Sequence, residues 1–111
     1  MSRPIRIHLY RMKSGKVPFA EWLSGLKDVH TRNIIRSRVD RLCYGNPGSI
    51  RFVGNGVYEI KIFLGPGYRV YFYRISSGDY LLLSGGDKST QKSDILQAQF
   101  YLEDYRRRSE K

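Results

Sequence analysis

The stretch from Gly56 to Ile75 limits the possible folds more than any other part of the chain. It reads Gly-Val-Tyr-Glu-Ile-Lys-Ile-Phe-Leu-Gly-Pro-Gly-Tyr-Arg-Val-Tyr-Phe-Tyr-Arg-Ile, two β-rich runs around Gly65-Pro66-Gly67. That triplet is a turn signal, a proline of fixed φ between two residues free to take positive φ. Alternation along a strand sends successive side chains to opposite faces. One face of the predicted hairpin therefore carries Tyr58, Ile60, Ile62 and Leu64 with Val70 and Phe72. The other carries Glu59, Lys61 and Phe63 with Arg69, Tyr71 and Tyr73. The first face is a core. The second interleaves cations with rings, which suits a polyanion with bases to stack and equally describes the solvated outer face of a small sheet.

Upstream, Ile5, Ile7 and Leu9 alternate with Arg6, His8 and Tyr10, the period of a half-buried strand. Pro18 suits the first turn of a helix, and Phe19, Trp22, Leu23 and Leu26 follow as one apolar stripe. Asp28 is an N-cap candidate for a second helix striped by Ile35, Val39 and Leu42. Arg32, Arg36, Arg38 and Arg41 occupy much of its remaining circumference, and Gly45-Asn46-Pro47-Gly48 stops it. Residues 49–55 read as a connector or a short strand. Tyr80-Leu81-Leu82-Leu83 is apolar on both faces, the mark of a central strand. Ser89 or Thr90 can cap a last helix docked by Ile95, Ala98, Leu102 and Tyr105. The order is β-α-α-β-β-β-α, an α+β fold with an antiparallel-rich sheet. Its helices are expected on one face, leaving the other open as a shallow concavity.

A chain of 111 residues predicts one domain spanning 1–111. Twenty Lys and Arg against ten Asp and Glu leave a net charge of +10, which favours nucleic acid or acidic protein partners. No apolar run reaches bilayer length, and Met-Ser-Arg-Pro-Ile carries no secretory pattern. The lone Cys43 forms no internal disulfide and has no partner at metal-ligand spacing, so it reads as an inert, buried thiol. A cytoplasmic protein without metal, cofactor or membrane partner is expected.

His8 and His30 fall in different elements, so a histidine pair converging on one phosphate is not indicated. The carboxylates are scattered. Glu59 shares a face with Lys61 and either orients it through a salt bridge or serves as a base. Lys61, Arg69 and Lys88 come from three successive strands or their ends and can form one cationic patch. Fixed cations stabilise the charge that develops on a phosphorane-like transition state, and RNA carries its own nucleophile, the 2′-OH. A non-catalytic RNA-binding surface fits the same residues.

Several segments together resemble the RelE/ParE superfamily of bacterial toxins, in its HigB-like "addiction module killer protein" branch. They are Pro18-Phe19-x-x-Trp22-Leu23-x-x-Leu26-Lys27-Asp28, Gly45-Asn46, Gly56-Val57-Tyr58-Glu59-Ile60-Lys61-Ile62, Gly65-Pro66-Gly67-Tyr68-Arg69-Val70-Tyr71-Phe72 and Gly85-Gly86-Asp87-Lys88-Ser89-x-Gln91-x-x-Asp94-Ile95. The resemblance implies a type II toxin that cuts mRNA on the ribosome and leaves a 2′,3′-cyclic phosphate. It implies Lys61, Arg69 and Lys88 as catalytic cations, and Tyr101 or Tyr105 as a C-terminal tyrosine of the site. Glu59, Phe63, Tyr71 and Tyr73 are then the RNA-facing residues. It further implies a cognate antitoxin, often with a helix-turn-helix domain, through which alone operator DNA is bound. Arg32, Arg36, Arg38 and Arg41 are the expected antitoxin surface. Two alternatives remain open: a ParE-like poison of DNA gyrase, and a non-catalytic RNA-binding or interaction module of the same fold.

Overall fold

The computed structural model describes residues 5–45 and 48–109. The elements in order are β1 (Arg6–Leu9), α1 (Pro18–Gly25), α2 (Val29–Cys43), β2 (Ser49–Gly54), β3 (Val57–Ile62), β4 (Tyr68–Ser76) and β5 (Asp79–Asp87). A 3₁₀ turn (Lys88–Thr90) then leads into α3 (Gln91–Ser109). Asn46 and Pro47 of the predicted helix stop, and the Met1–Pro4 start, lie outside the described residues.

Local signals act as expected at both helical starts. Pro18 opens α1, and the Asp28 carboxylate accepts from the His30 N–H at the start of α2. The predicted hairpin forms with Lys61 opposite Arg69 and Glu59 opposite Tyr71, and β4 pairs antiparallel with β5. Residues 49–54 form a true strand, β2, so the order gains one strand over that expected. The sheet runs β1-β5-β4-β3-β2, and β1 lies parallel to β5 at one edge.

The expectation of helices on one face is corrected. Phe19 and Leu23 of α1 and Ile35, Val39 and Leu42 of α2 pack with Ile60, Ile62, Val70, Phe72 and Leu82. Side chains of the alternate positions, Val57, Tyr71, Leu81 and Leu83, meet Ala98 and Leu102 of α3. The sheet is thus a middle layer. Its two inner strands require this: Val70-Tyr71-Phe72 and Leu81-Leu82-Leu83 are apolar on both sides, and leaving one side bare would expose several large side chains to water. Because α3 starts just past the end of β5 and covers only part of its face, the portion carrying Glu59, Lys61 and Arg69 remains a cleft. No helix among the described residues is long and apolar enough to cross a membrane.

Candidate active site

The cleft, about 380 Å³, is lined by Ser49, Arg51, Glu59, Lys61, Arg69 and Gln91. Strand register brings these together. Ser49 stands opposite Lys61 and Arg51 opposite Glu59 on β2 and β3, while Arg69 of β4 stands opposite Lys61 on its other side. All five are therefore on one face. Gln91, the first residue of α3, closes the cleft from above.

Glu59 is the centre of the arrangement, only 3% exposed. Its Oε1 lies 3.3 Å from Arg51 Nη2. Its Oε2 accepts a hydrogen bond from Gln91 Nε2 at 2.9 Å and stands 3.8 Å from Arg69 Nε. The Arg69 side chain is itself buried, and its Nη1 donates to the Gly67 carbonyl at 2.8 Å. Among the described residues its Nε has no hydrogen-bond partner, nor do the buried hydroxyls of Tyr71 and Ser84. Burial, then the nearby Glu59 carboxylate, push the Tyr71 phenol well above its ordinary range, so it stays neutral. The Asp94 carboxyl is raised by burial too, with Asp87 adding to it against the lowering hydrogen bond from Thr90.

The expected Glu59–Lys61 salt bridge is not present. Residues two apart on a strand are separated by a full pleat repeat, whereas directly opposed residues on neighbouring strands are closer. Glu59 accordingly pairs with the directly opposed Arg51 and, diagonally, with Arg69, whose long side chain spans the extra distance. The Lys61 ammonium sits 4.9 Å over the Phe63 ring. Lys61 makes no ion pair among the described residues and is half-buried at the cleft wall.

No protein-family model matches the chain. Over 80 residues it is 46% identical to a Haemophilus influenzae protein described only as "Uncharacterized protein", an alignment covering 72% of this chain and 81% of that one. The chain belongs to that protein's family. The relative's description assigns no activity, so the chemistry rests on the cleft.

Of the residues singled out from sequence, Lys61, Arg69 and Glu59 meet in the cleft. Arg69, expected to be solvent-exposed, is only 4% exposed, its guanidinium held against Glu59 and the Gly67 carbonyl in the cleft. Lys88 lies exposed in the 3₁₀ turn and does not line the cleft. Among the expected stacking rings only Phe63 is open, at 69% exposure. Tyr71 is fully buried beneath α3, and Tyr73 is flanked by Tyr105 and capped by Arg106, so neither is presented to a base. Tyr101 stacks on Tyr10, and with Tyr105 it packs against the α3-side core, away from the cleft. Arg32 donates to the Leu26 carbonyl and Arg36 to Asn33, while Arg38 and Arg41 are half-buried.

Sequence reasoning missed Ser49, Arg51 and Gln91. Arg51 was within reach once 49–54 was read as a strand, since antiparallel pairing then puts it opposite Glu59. Gln91 had no such signal, because its contact depends on how α3 lies over the sheet.

Proposed function

We propose that this chain is the toxin of a type II toxin–antitoxin pair, an endoribonuclease that cuts mRNA on the ribosome. One observation carries the reading: Arg51 and Arg69 flank one buried carboxylate, and Lys61, not paired with it, lines the same cleft. This is the polarity that phosphodiester cleavage needs, with positive charge for the phosphate and one acceptor for the nucleophile's proton. Arg69 supplies a buried guanidinium whose Nε is still unpartnered, and a phosphate oxygen would satisfy it. Lys61 is free of ion pairs among the described residues and held at the wall by Phe63, an exposed ring beside the cleft that can stack a base.

In this reading Glu59 takes the proton from the RNA 2′-OH as its oxygen attacks phosphorus. The bond from phosphorus to the 5′-oxygen breaks, and the Lys61 ammonium protonates that leaving oxygen. The products are a 2′,3′-cyclic phosphate and a 5′-hydroxyl. The nucleophile belongs to the substrate, so no metal is called on to generate one. Such a toxin acts in the cytoplasm, and its partners are ribosome-bound mRNA and a cognate antitoxin. The antitoxin is expected to carry a helix-turn-helix domain and alone to contact operator DNA.

The test is translation-dependent cleavage by the purified protein, mapped by 5′-end sequencing in the presence of a chelator that spares the ribosome's magnesium. Cleavage should occur on translating ribosomes and not on free RNA. Lys61→Ala with Arg69→Ala should lower it by at least ~10²-fold, the effect of removing preorganised charge stabilisation. Cleavage unaffected by the double variant would refute the mechanism, and gyrase-dependent DNA breaks without RNA cleavage would move the chain to the ParE-like class.

A further inference from the structure

We infer that Gln91 is a positioning residue, whose side-chain amide keeps the Glu59 carboxylate aimed into the cleft while the cations turn to the substrate. The inference rests on reading the cleft as an RNA-cleaving site. Among the described residues, Gln91 Nε2 is the one neutral group in hydrogen-bond geometry with Glu59, at 2.9 Å across 32 residues of sequence, while the nearby Tyr71 hydroxyl makes no such bond. A carboxylate only accepts, so the amide must turn its NH₂ toward it. Arg51 and Arg69 also grip Glu59, at 3.3 and 3.8 Å, but a phosphodiester competes for both. The Arg51 side chain is 61% exposed and free to swing. A neutral amide has no such attraction to phosphate. It remains on Glu59 when the guanidiniums leave, and so preserves the direction in which the carboxylate meets the 2′-OH.

The segment before Gln91 is built to hold it there. The Trp22 ring lies flat on Gly85, and a Cβ on Gly86 would collide with the Asp94 carboxylate. Asp87 accepts from the Ser89 N–H and caps the 3₁₀ turn, whose next residue is Gln91. Thr90 donates to Asp94, tying that turn to the first turn of α3. These contacts fix the start of α3 against the sheet on both faces, which puts the amide over Glu59 with little freedom to wander.

The test compares wild type with Gln91→Met, which keeps length and bulk and removes the donor. Charged and titratable groups beside Glu59 are Arg51 from β2, Lys61 on its own strand, and Arg69 and Tyr71 from β4. None of these changes in the variant. We expect kcat to fall ~10- to 100-fold with KM within about twofold, since the effect lies in the reacting geometry and not in phosphate binding. At one fixed neutral pH the Glu59 side-chain carboxyl ¹³C resonance should shift in the variant, because its hydrogen bond from the amide is gone, a readout that needs no RNA. An unchanged Glu59 carboxyl resonance overturns the inference whatever the activity does, and so does a kcat within about twofold of wild type. If the carboxyl resonance moves but the wild type cuts no RNA, the nuclease reading fails and takes the catalytic role of Gln91 with it, while the hydrogen bond itself stands.

Discussion

Gly85→Ala should destabilise the protein more than any other single methyl addition to the sheet. A Cβ at this position would lie 2.2 Å from Trp22 Cε3, 2.4 Å from Cζ3 and 2.6 Å from Cδ2. Carbon atoms rest at about 3.5–4.0 Å, so the ring must retreat by ~1.3 Å or more. It has nowhere easy to go, because Phe19 and Tyr68 lie against it with centroids at 6.0 and 6.2 Å. Forced repacking of this kind costs ~1–3 kcal/mol. A value near ~2 kcal/mol, with an unfolding entropy of roughly 0.23 kcal/mol/K for a chain this long, lowers Tm by about 9 °C. Trp22 is the sole tryptophan, so its fluorescence reports both the displaced ring and the urea midpoint. The midpoint should fall with an unchanged m-value. In a Trp22→Leu background the same glycine change should cost less than half as much, the coupling expected of residues in direct contact. A cost below ~0.5 kcal/mol with unaltered emission, or an equal cost in both backgrounds, would refute the reasoning.

Asp79 provides a pH test: hydrogen bonds from His8, then Arg6, hold its carboxyl down at about 2. A carboxyl depressed in the folded state stabilises fully above its unfolded value of ~3.9 and loses that contribution as pH falls toward its folded value. Thermal melts of Asp79→Asn should therefore lack part of the acid-side decline seen in wild type across this window. The two site cations should separate in stability: Arg69→Ala leaves Glu59 buried with one charge fewer and should cost ~3 kcal/mol, whereas Lys61→Ala should cost under ~0.5 kcal/mol by urea unfolding. Charge reversal at Arg36 and Arg38 should weaken antitoxin binding more than reversal at Lys61 and Arg69. Calorimetric titration at fixed salt checks the order, and the opposite ranking points to direct masking of the cleft.

Much of the sheet was legible because its signals are local. Period-two alternation assigns faces without any knowledge of what covers them, so Ile60, Ile62, Val70 and Phe72 fall together in one core and Glu59, Lys61 and Arg69 on the other side. Gly65-Pro66-Gly67 sets the hairpin, and the helical stripes name Phe19, Leu23, Ile35, Val39, Leu42, Ala98 and Leu102 as buried. What lay over each face was not local. An apolar stripe on α3 docks equally well on either side of a sheet, and its placement followed from strands β4 and β5 being apolar on both faces. That choice buried Tyr71, closed off Tyr73, and left the portion carrying Glu59, Lys61 and Arg69 as a cleft. Periodicity likewise carries no information about partners across the sheet's edge, so β1 lying parallel to β5 appeared only in the folded chain. The hydrogen bond from Gln91 to Glu59 spans 32 residues and three strands' worth of packing. No spacing rule relates two residues so placed, because their distance is set by where the helix comes to rest on the sheet and not by the backbone between them.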